Sequence, residues 1–213
     1  MQIEKQHIIH WLKLCYIALQ EERAYLNELD SDIGDGDHGN NLSRGFAAVA
    51  KELEALQKQS ISTILKNTGL NLRMYVGGDG GMFYSTFFFC VSRSIGSRTH
   101  LSLPQLLDAL KHGTDGIAVR GKAQKGDKTM YDVWVTTQEI AKELASDGLA
   151  DDELLDVILN SAETAAVSTV DMEATKGRAQ HKGKESIGYQ DPGATSSYLM
   201  IKSLVTALKS ELI

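Results

Sequence analysis

Apolar residues recur at three- and four-residue intervals along most of the chain, and this spacing predicts helices. Ile8, Trp11, Leu12, Cys15, Ala18 and Leu19 share one helical face, as do Phe46, Val49, Ala50 and Leu53. The same spacing runs through Met130, Val133, Trp134, Thr137, Ile140, Ala141 and Leu144, then Leu154, Leu155, Ile158, Ala162 and Ala165, and at the end Tyr198, Ile201, Val205 and Leu208. Met82 to Phe89 is apolar enough for a buried helix, and Leu106, Leu107 and Leu110 mark another. Sustained alternation with a period of two is absent. The two prolines fit: Pro104 falls near a helix start, and Pro192 in the loop before the last helix. The pattern predicts an all-α protein.

Two polar, glycine-rich stretches interrupt it. Asp30-Ser31-Asp32-Ile33-Gly34-Asp35-Gly36-Asp37-His38-Gly39 sets four carboxylates and a histidine among three glycines. Carboxylates this close repel unless protons or a cation neutralise them, and glycine lets the backbone turn them toward a common point. A calcium loop counted from Asp30 fails, with Gly34 at its fifth place and Asn41 at its twelfth. Magnesium, which takes a few carboxylates and completes its shell with water and phosphate oxygens, suits the stretch better. The plainer alternative is a solvated Asp/Gly turn capping the next helix. Val76-Gly77-Gly78-Asp79-Gly80-Gly81 stands directly before the apolar Met82–Phe89 segment. A glycine-rich turn at a helix start offers free N–H groups and the positive end of the helix dipole to phosphate. Together the two stretches point to phosphate and metal.

Composition narrows the classes. With 213 residues the chain suffices for one core, so residues 1–213 are read as one domain. A net charge of −6 and a pI near 5.5 argue against a general nucleic-acid surface. No signal-peptide pattern or membrane-length apolar run is seen, and a soluble, cytoplasmic protein is expected. Cys15 and Cys90 read as buried small hydrophobes.

Two later loops carry charge and glycine. Gly121-Lys122-Ala123-Gln124-Lys125-Gly126-Asp127-Lys128-Thr129-Met130 leads into the Trp134 helix, with Asp127 or Thr129 as its cap and direct ligand contact equally open. Lys176-Gly177-Arg178 offers a guanidinium to phosphate, and Gly188 to Thr195 a rigid turn feeding the last helix. Beside Asp37, His38 is open to three roles: metal ligand, phosphate donor or polar loop residue.

Taken together, Asp30-x4-Asp35-x-Asp37-His38-Gly39-x-Asn41, Arg44-Gly45-Phe46, Gly126-Asp127-Lys128-Thr129-Met130-x-Asp132-x-Trp134, Lys176-Gly177-Arg178-Ala179 and Gln190-Asp191-Pro192-Gly193-Ala194-Thr195-Ser196 follow one order. In this the chain resembles the DhaL family, the nucleotide-binding subunits of bacterial dihydroxyacetone kinases, from the first helix to the last. The resemblance implies a closed barrel of about eight amphipathic antiparallel helices with the nucleotide held by loops at one end. It implies ADP/ATP kept as a bound coenzyme with two Mg2+ ions. A DhaM-type phosphohistidine protein would rephosphorylate ADP, and the γ-phosphoryl would pass to a ketone held on a DhaK-type subunit. A homodimer is also open.

Carried over by motif, Asp30, Asp35 and Asp37 match the family's magnesium ligands and the centre of its catalysis. His38, Gly39, Asn40 and Asn41 match its phosphate-side loop, and Asp79 and Gly80 fall in its glycine-rich turn. Arg178 matches a phosphate contact, while Gly121, Met130, Asp191, Pro192 and Gly193 match the nucleoside side. Where the family usually has Gly-Gly-small-Ser-Gly, this chain has Gly77-Gly78-Asp79-Gly80-Gly81, which loses a hydroxyl donor and gains a charge. Asp79 is read as a helix cap, with repulsion of the nucleotide or entry into the metal shell as the other physical roles. Two other activities fit the same residues: an ADP-sensing regulatory module, or a kinase subunit for another short ketose that uses exchangeable ATP. A magnesium-dependent phosphohydrolase is disfavoured, because no general base for water is evident.

Overall fold

The computed structural model describes residues 1–144 and 148–210. Nine α-helices are present among them: α1 Lys5–Glu21, α2 Arg23–Ile33, α3 His38–Leu56, α4 Ile61–Tyr75, α5 Gly78–Ile95, α6 Leu103–Gly121, α7 Met130–Leu144, α8 Asp151–Ser168 and α9 Pro192–Lys209. Two three-residue strands, β1 Gln2–Glu4 and β2 His100–Ser102, pair antiparallel with Ile3 opposite Leu101. They depart from the all-helical reading, and both are too short to show alternation in sequence. The connection read at Ala145 to Gly148 lies, apart from Gly148, outside the described residues.

Eight helices close a ring. From α3 onward each packs on the next, α3 on α4 through α8 on α9, and α1 closes the circle by packing on both α9 and α3. Helix α2 stands outside the ring against α3, separated from α1 by Glu22 alone. The closed barrel therefore holds, with α2 as an adjunct that presents acidic residues. Each stripe of the predicted helices faces the ring's interior, where Trp11, Phe46, Phe87, Phe88, Trp134 and Met200 are buried. An aromatic chain spans it: the rings of Trp11 and Phe88 lie 5.6 Å apart, Phe88 and Phe87 5.3 Å, and Phe87 and Trp134 4.3 Å. Burying one such ring contributes roughly 1.5–3 kcal/mol. Trp11 Nε1 donates to the Met200 carbonyl at 2.9 Å, whereas Trp134 Nε1 has no hydrogen-bond partner among the described residues.

Cys15 is buried as expected, but Cys90 is half-buried beside Gly116, on the side of α5 that meets α6. Pro192 is the first residue of α9 rather than part of the preceding loop, and Asp191 caps that helix through Oδ2 to the Ala194 N–H at 2.6 Å. Alternate connections between the ring helices share one end, where their residues line a common pocket. The connections 34–37, 76–77, 122–129 and 169–191 gather there.

Candidate functional site

These four connections line one pocket of about 210 Å³. Its acidic wall is built by α2 and the turn that follows. Asp30 is buried in the last turn of α2, Asp35 is exposed in the turn, and Asp37 is half-buried at the start of α3. One carboxylate oxygen from each lies within 4.8 Å of the other two. The turn is held by Asp30 Oδ2, which accepts the N–H groups of Asp37 (2.8 Å) and His38 (3.1 Å). Glycine is required next to it: a Cβ on Gly34 would stand 2.0 Å from Asp30 Oδ1.

This donor set fits magnesium. Oxygens bound about 2.1 Å from one octahedral ion are roughly 3–4 Å apart, within the spread available here. All three donors are hard carboxylate oxygens, and no histidine or cysteine nitrogen or sulfur joins the group among the described residues.

The opposite wall is the start of α5. Gly77 and Gly78 have φ of +76° and +52°, left-handed values that favour glycine. The N–H groups of Gly78, Asp79 and Gly80 precede the helix's first internal bond, from Gly81 N to the Gly77 carbonyl at 2.8 Å. The capping role expected of Asp79 is not found. The cap position falls on Gly77, which has no side chain, and Asp79 sits exposed in the first turn with its carboxylate at the positive end of the dipole.

Arg178 closes the mouth. It forms an ion pair with Asp35 and lies 4.0 Å from the position a Cβ on Gly78 would take. Deeper in, Phe83, Ile117, Met130 and Pro192 make an apolar wall, and Gly121 packs so closely on Phe83 that a Cβ would come within 2.9 Å of the ring. Asp191 and Gly193 line the same side. Burial pushes the Asp191 carboxyl up to about 7, opposed by its cap hydrogen bond to Ala194 and by Lys128.

His38, whose role the sequence leaves open, is not part of the grouped acids but bonds to α9. Its Nε2 lies 2.9 Å from Ser196 Oγ, which meets the Tyr84 hydroxyl at 2.7 Å, and that hydroxyl reaches Ser197 Oγ (3.0 Å) and the Gly193 carbonyl (3.2 Å). Burial lowers the imidazole to about 4 despite the opposing pull of Asp30 and Asp37, so the ring is neutral at pH 7. The network fastens the acidic turn to the start of α9.

Of the expected residues, Asp30, Asp35, Asp37, His38, Asn41, Asp79, Gly80, Gly121, Met130, Arg178, Asp191, Pro192 and Gly193 line the pocket. Gly39 and Asn40 do not. Gly39 is buried against the Arg23 carbonyl of α2, and the Asn40 N–H is taken by Asn27 Oδ1 at 3.0 Å while its side chain is exposed. Of the two caps weighed for α7, Thr129 serves: its hydroxyl accepts the Tyr131 N–H at 3.1 Å, and Asp132 accepts the Thr129 N–H at 2.7 Å. Asp127 instead accepts the Gln124 N–H at 2.6 Å and the Thr175 hydroxyl. Phe83, Ile117 and Lys128 also line the pocket without having been singled out. Phe83 and Ile117 carry no signal beyond ordinary core apolarity. Lys128 lies in the basic glycine loop already noted.

The sequence profile of the DAK2 domain matches residues 32–206. The chain is 42% identical to the ADP-binding subunit DhaL of the PEP-dependent dihydroxyacetone kinase of Escherichia coli, over 98% of this chain and 100% of that protein. It is 36% identical to the DhaL subunit of the PTS-dependent kinase of Lactococcus lactis, over 92% of this chain and 94% of the relative. Its fold matches the dihydroxyacetone kinase of C. freundii solved with AMP-PNP and Mg2+, with a TM-score of 0.72 and 23% identity, over 93% of this chain and 33% of that one. The chain belongs to the DAK2-domain family, within its dihydroxyacetone kinase DhaL subunits.

Proposed function

We propose that this chain is the ADP- and magnesium-binding subunit of a dihydroxyacetone kinase. The observation that carries this reading is the pocket in which three grouped carboxylates face a glycine helix start, with an apolar wall beside them. Phosphoryl transfer asks for positioning and charge neutralisation more than for a protein nucleophile. Each part of the pocket supplies one of these.

Asp30, Asp35 and Asp37 would hold magnesium, with two ions as the family reading has it. When bound, magnesium screens the phosphate oxygens and the charge that develops on the transferred group. The N–H groups at the start of α5 bind phosphate oxygens, and Arg178 adds a guanidinium at the mouth. Phe83, Ile117, Met130 and Pro192 exclude water from the base. Neutral His38 bonds Ser196 and keeps the acidic turn in place.

The nucleotide stays as a coenzyme, rephosphorylated by a DhaM-type phosphohistidine protein, and the acceptor ketone is presented by a DhaK-type subunit. The whole chain acts as one domain in the cytoplasm, with a homodimer as its further association. No helix among the described residues is long and apolar enough to cross a membrane. The test is reconstitution with a phosphohistidine donor and a ketone-binding subunit. Wild type should phosphorylate dihydroxyacetone, whereas Asp35→Ala and Asp37→Ala should not; turnover by those variants contradicts the reading.

A further inference from the structure

Lys128 is the charged residue buried most deeply beside the pocket, 1% exposed, yet its ammonium does not point into it. Nζ lies 2.7 Å from the Thr169 carbonyl, 3.1 Å from Met172, 2.8 Å from Ser186 and 2.5 Å from Tyr189. All four acceptors are main-chain carbonyls of one loop, and among the described residues no carboxylate forms an ion pair with it. Three N–H bonds cannot serve four carbonyls singly. The arrangement is one that a bare monovalent cation would adopt.

The residue is also held in an unusual backbone state. Lys128 has φ of +62°, a left-handed conformation that costs a branched or long side chain energy and persists only where the surroundings require it. The loop it gathers has little regular structure. It contains short 3-10 turns at Thr169–Asp171 and within Arg178–Ser186, the latter broken by a kink at Gly183, and left-handed glycines at 177, 183 and 188. Its ends meet where Gly188 N donates to the Val170 carbonyl at 2.8 Å, and its middle is tied to the 122–129 connection by Thr175 N to the Asp127 carbonyl at 3.2 Å. Carbonyl oxygens converging in this way repel one another unless a positive charge lies between them.

We propose that the Lys128 ammonium is a built-in cation around which the 169–189 loop folds, and that it thereby positions Arg178 at the phosphate end of the pocket. Lys128 is a positioning residue: its donors are consumed by the loop and none is left for phosphate. Burial lowers the Lys128 ammonium below its ordinary pKa, and Asp191 and Asp171 oppose that shift. The inference rests on the proposed nucleotide site for what Arg178 meets, but not for how the loop is held.

The distinguishing experiment is replacement of the cation. In Lys128→Ala the carbonyls remain and a space opens between them; in Lys128→Met an uncharged chain fills that space. Trypsin cleavage after Lys176, Arg178, Lys182 and Lys184 and calorimetric binding of ADP with magnesium are measured in sodium, potassium, ammonium and tetramethylammonium chloride at equal ionic strength. In sodium or tetramethylammonium, Lys128→Ala should be cut faster and bind ADP about tenfold more weakly, the loss expected from one charge-assisted hydrogen bond. Ammonium or potassium should restore both readouts in Lys128→Ala and neither in Lys128→Met. Unchanged protection and affinity in Lys128→Ala overturn the inference, as does a loss, or a failure to fold, that is the same in every salt. A wild type whose loop resists trypsin but which binds no ADP overturns the proposed function and leaves this role of Lys128 standing.

Discussion

Arg178 and Asp35 form an ion pair across the mouth of the pocket, so the guanidinium expected to meet phosphate is held by a carboxylate expected to meet magnesium. The two side chains are 53% and 44% exposed, and an exposed pair of this kind contributes no more than about 1 kcal/mol. Ligands on both sides can therefore displace it. Arg178→Gln should leave Asp35 free, raising magnesium affinity in the absence of nucleotide by a factor of up to about five. The same variant should weaken ADP by about tenfold, because a charged donor to phosphate is lost. Titration calorimetry of magnesium alone and of ADP with magnesium reads both; effects of the same sign would contradict this exchange of partners.

Asp79 sets a second expectation. Exposed in the first turn of α5 and without a capping role, its carboxylate would compete with the phosphate proposed for the same helix end. Asp79→Ser should tighten ADP by about two- to fivefold, in line with one surface charge at a helix terminus, and the gain should shrink at high salt. Weaker binding in this variant would show that Asp79 joins the ligand shell instead.

Stability against pH carries opposing contributions from two residues of the site. Asp191 is raised to about 7 in the folded state, so between roughly pH 4 and 7 the folded chain holds a proton that the unfolded chain has lost, and stability falls as pH rises. His38 is lowered to about 4, so between about 4 and 6.5 the unfolded chain holds the extra proton, and stability rises with pH. Over most of this range the two slopes cancel, each being about 1.4 kcal/mol per pH unit at most. Asp191→Asn keeps a capping side chain and removes the titration. In metal-free and nucleotide-free buffer it should turn a nearly flat profile into one that rises from pH 4 to 6.5. Thermal unfolding at several pH values tests this, and a profile unchanged from wild type would refute the Asp191 contribution.

The Tyr84 hydroxyl, buried in the core, joins Ser196, Ser197 and the Gly193 carbonyl, and through Ser196 it reaches His38. Tyr84→Phe leaves those groups with fewer partners and should cost about 1–3 kcal/mol, a drop in Tm of several degrees for a chain of this size. ADP affinity should fall with it, since Gly193 lines the pocket. A Tm within one degree of wild type, about the size of a neutral surface change, would mean the hydroxyl is not a tie.

What the sequence showed follows from how strongly each face is marked. The ring helices with unbroken apolar stripes, such as α1 and α8, are legible from spacing alone. Helix α4 is not, because its buried face includes Thr68, Gly69 and Asn71, which break the stripe with small and polar groups. Helix α2 is hidden for a related reason: Asp30 occupies its buried face between Leu26 and Ile33. The acidic cluster was visible as composition, but the grouping of Asp30 with Asp35 and Asp37 depends on Gly34 closing the turn. Lys128 could not be placed by pattern, since its four acceptors are main-chain carbonyls 41 to 61 residues away.

The most direct test of the nucleotide site is the mass of the native protein purified in magnesium buffer, followed by denaturation and identification of anything released. One ADP or ATP per chain is expected, lost when magnesium is chelated and absent from Asp35→Ala and Asp37→Ala. A wild-type chain that carries no nucleotide, and takes up none when ADP and magnesium are added, would contradict that expectation.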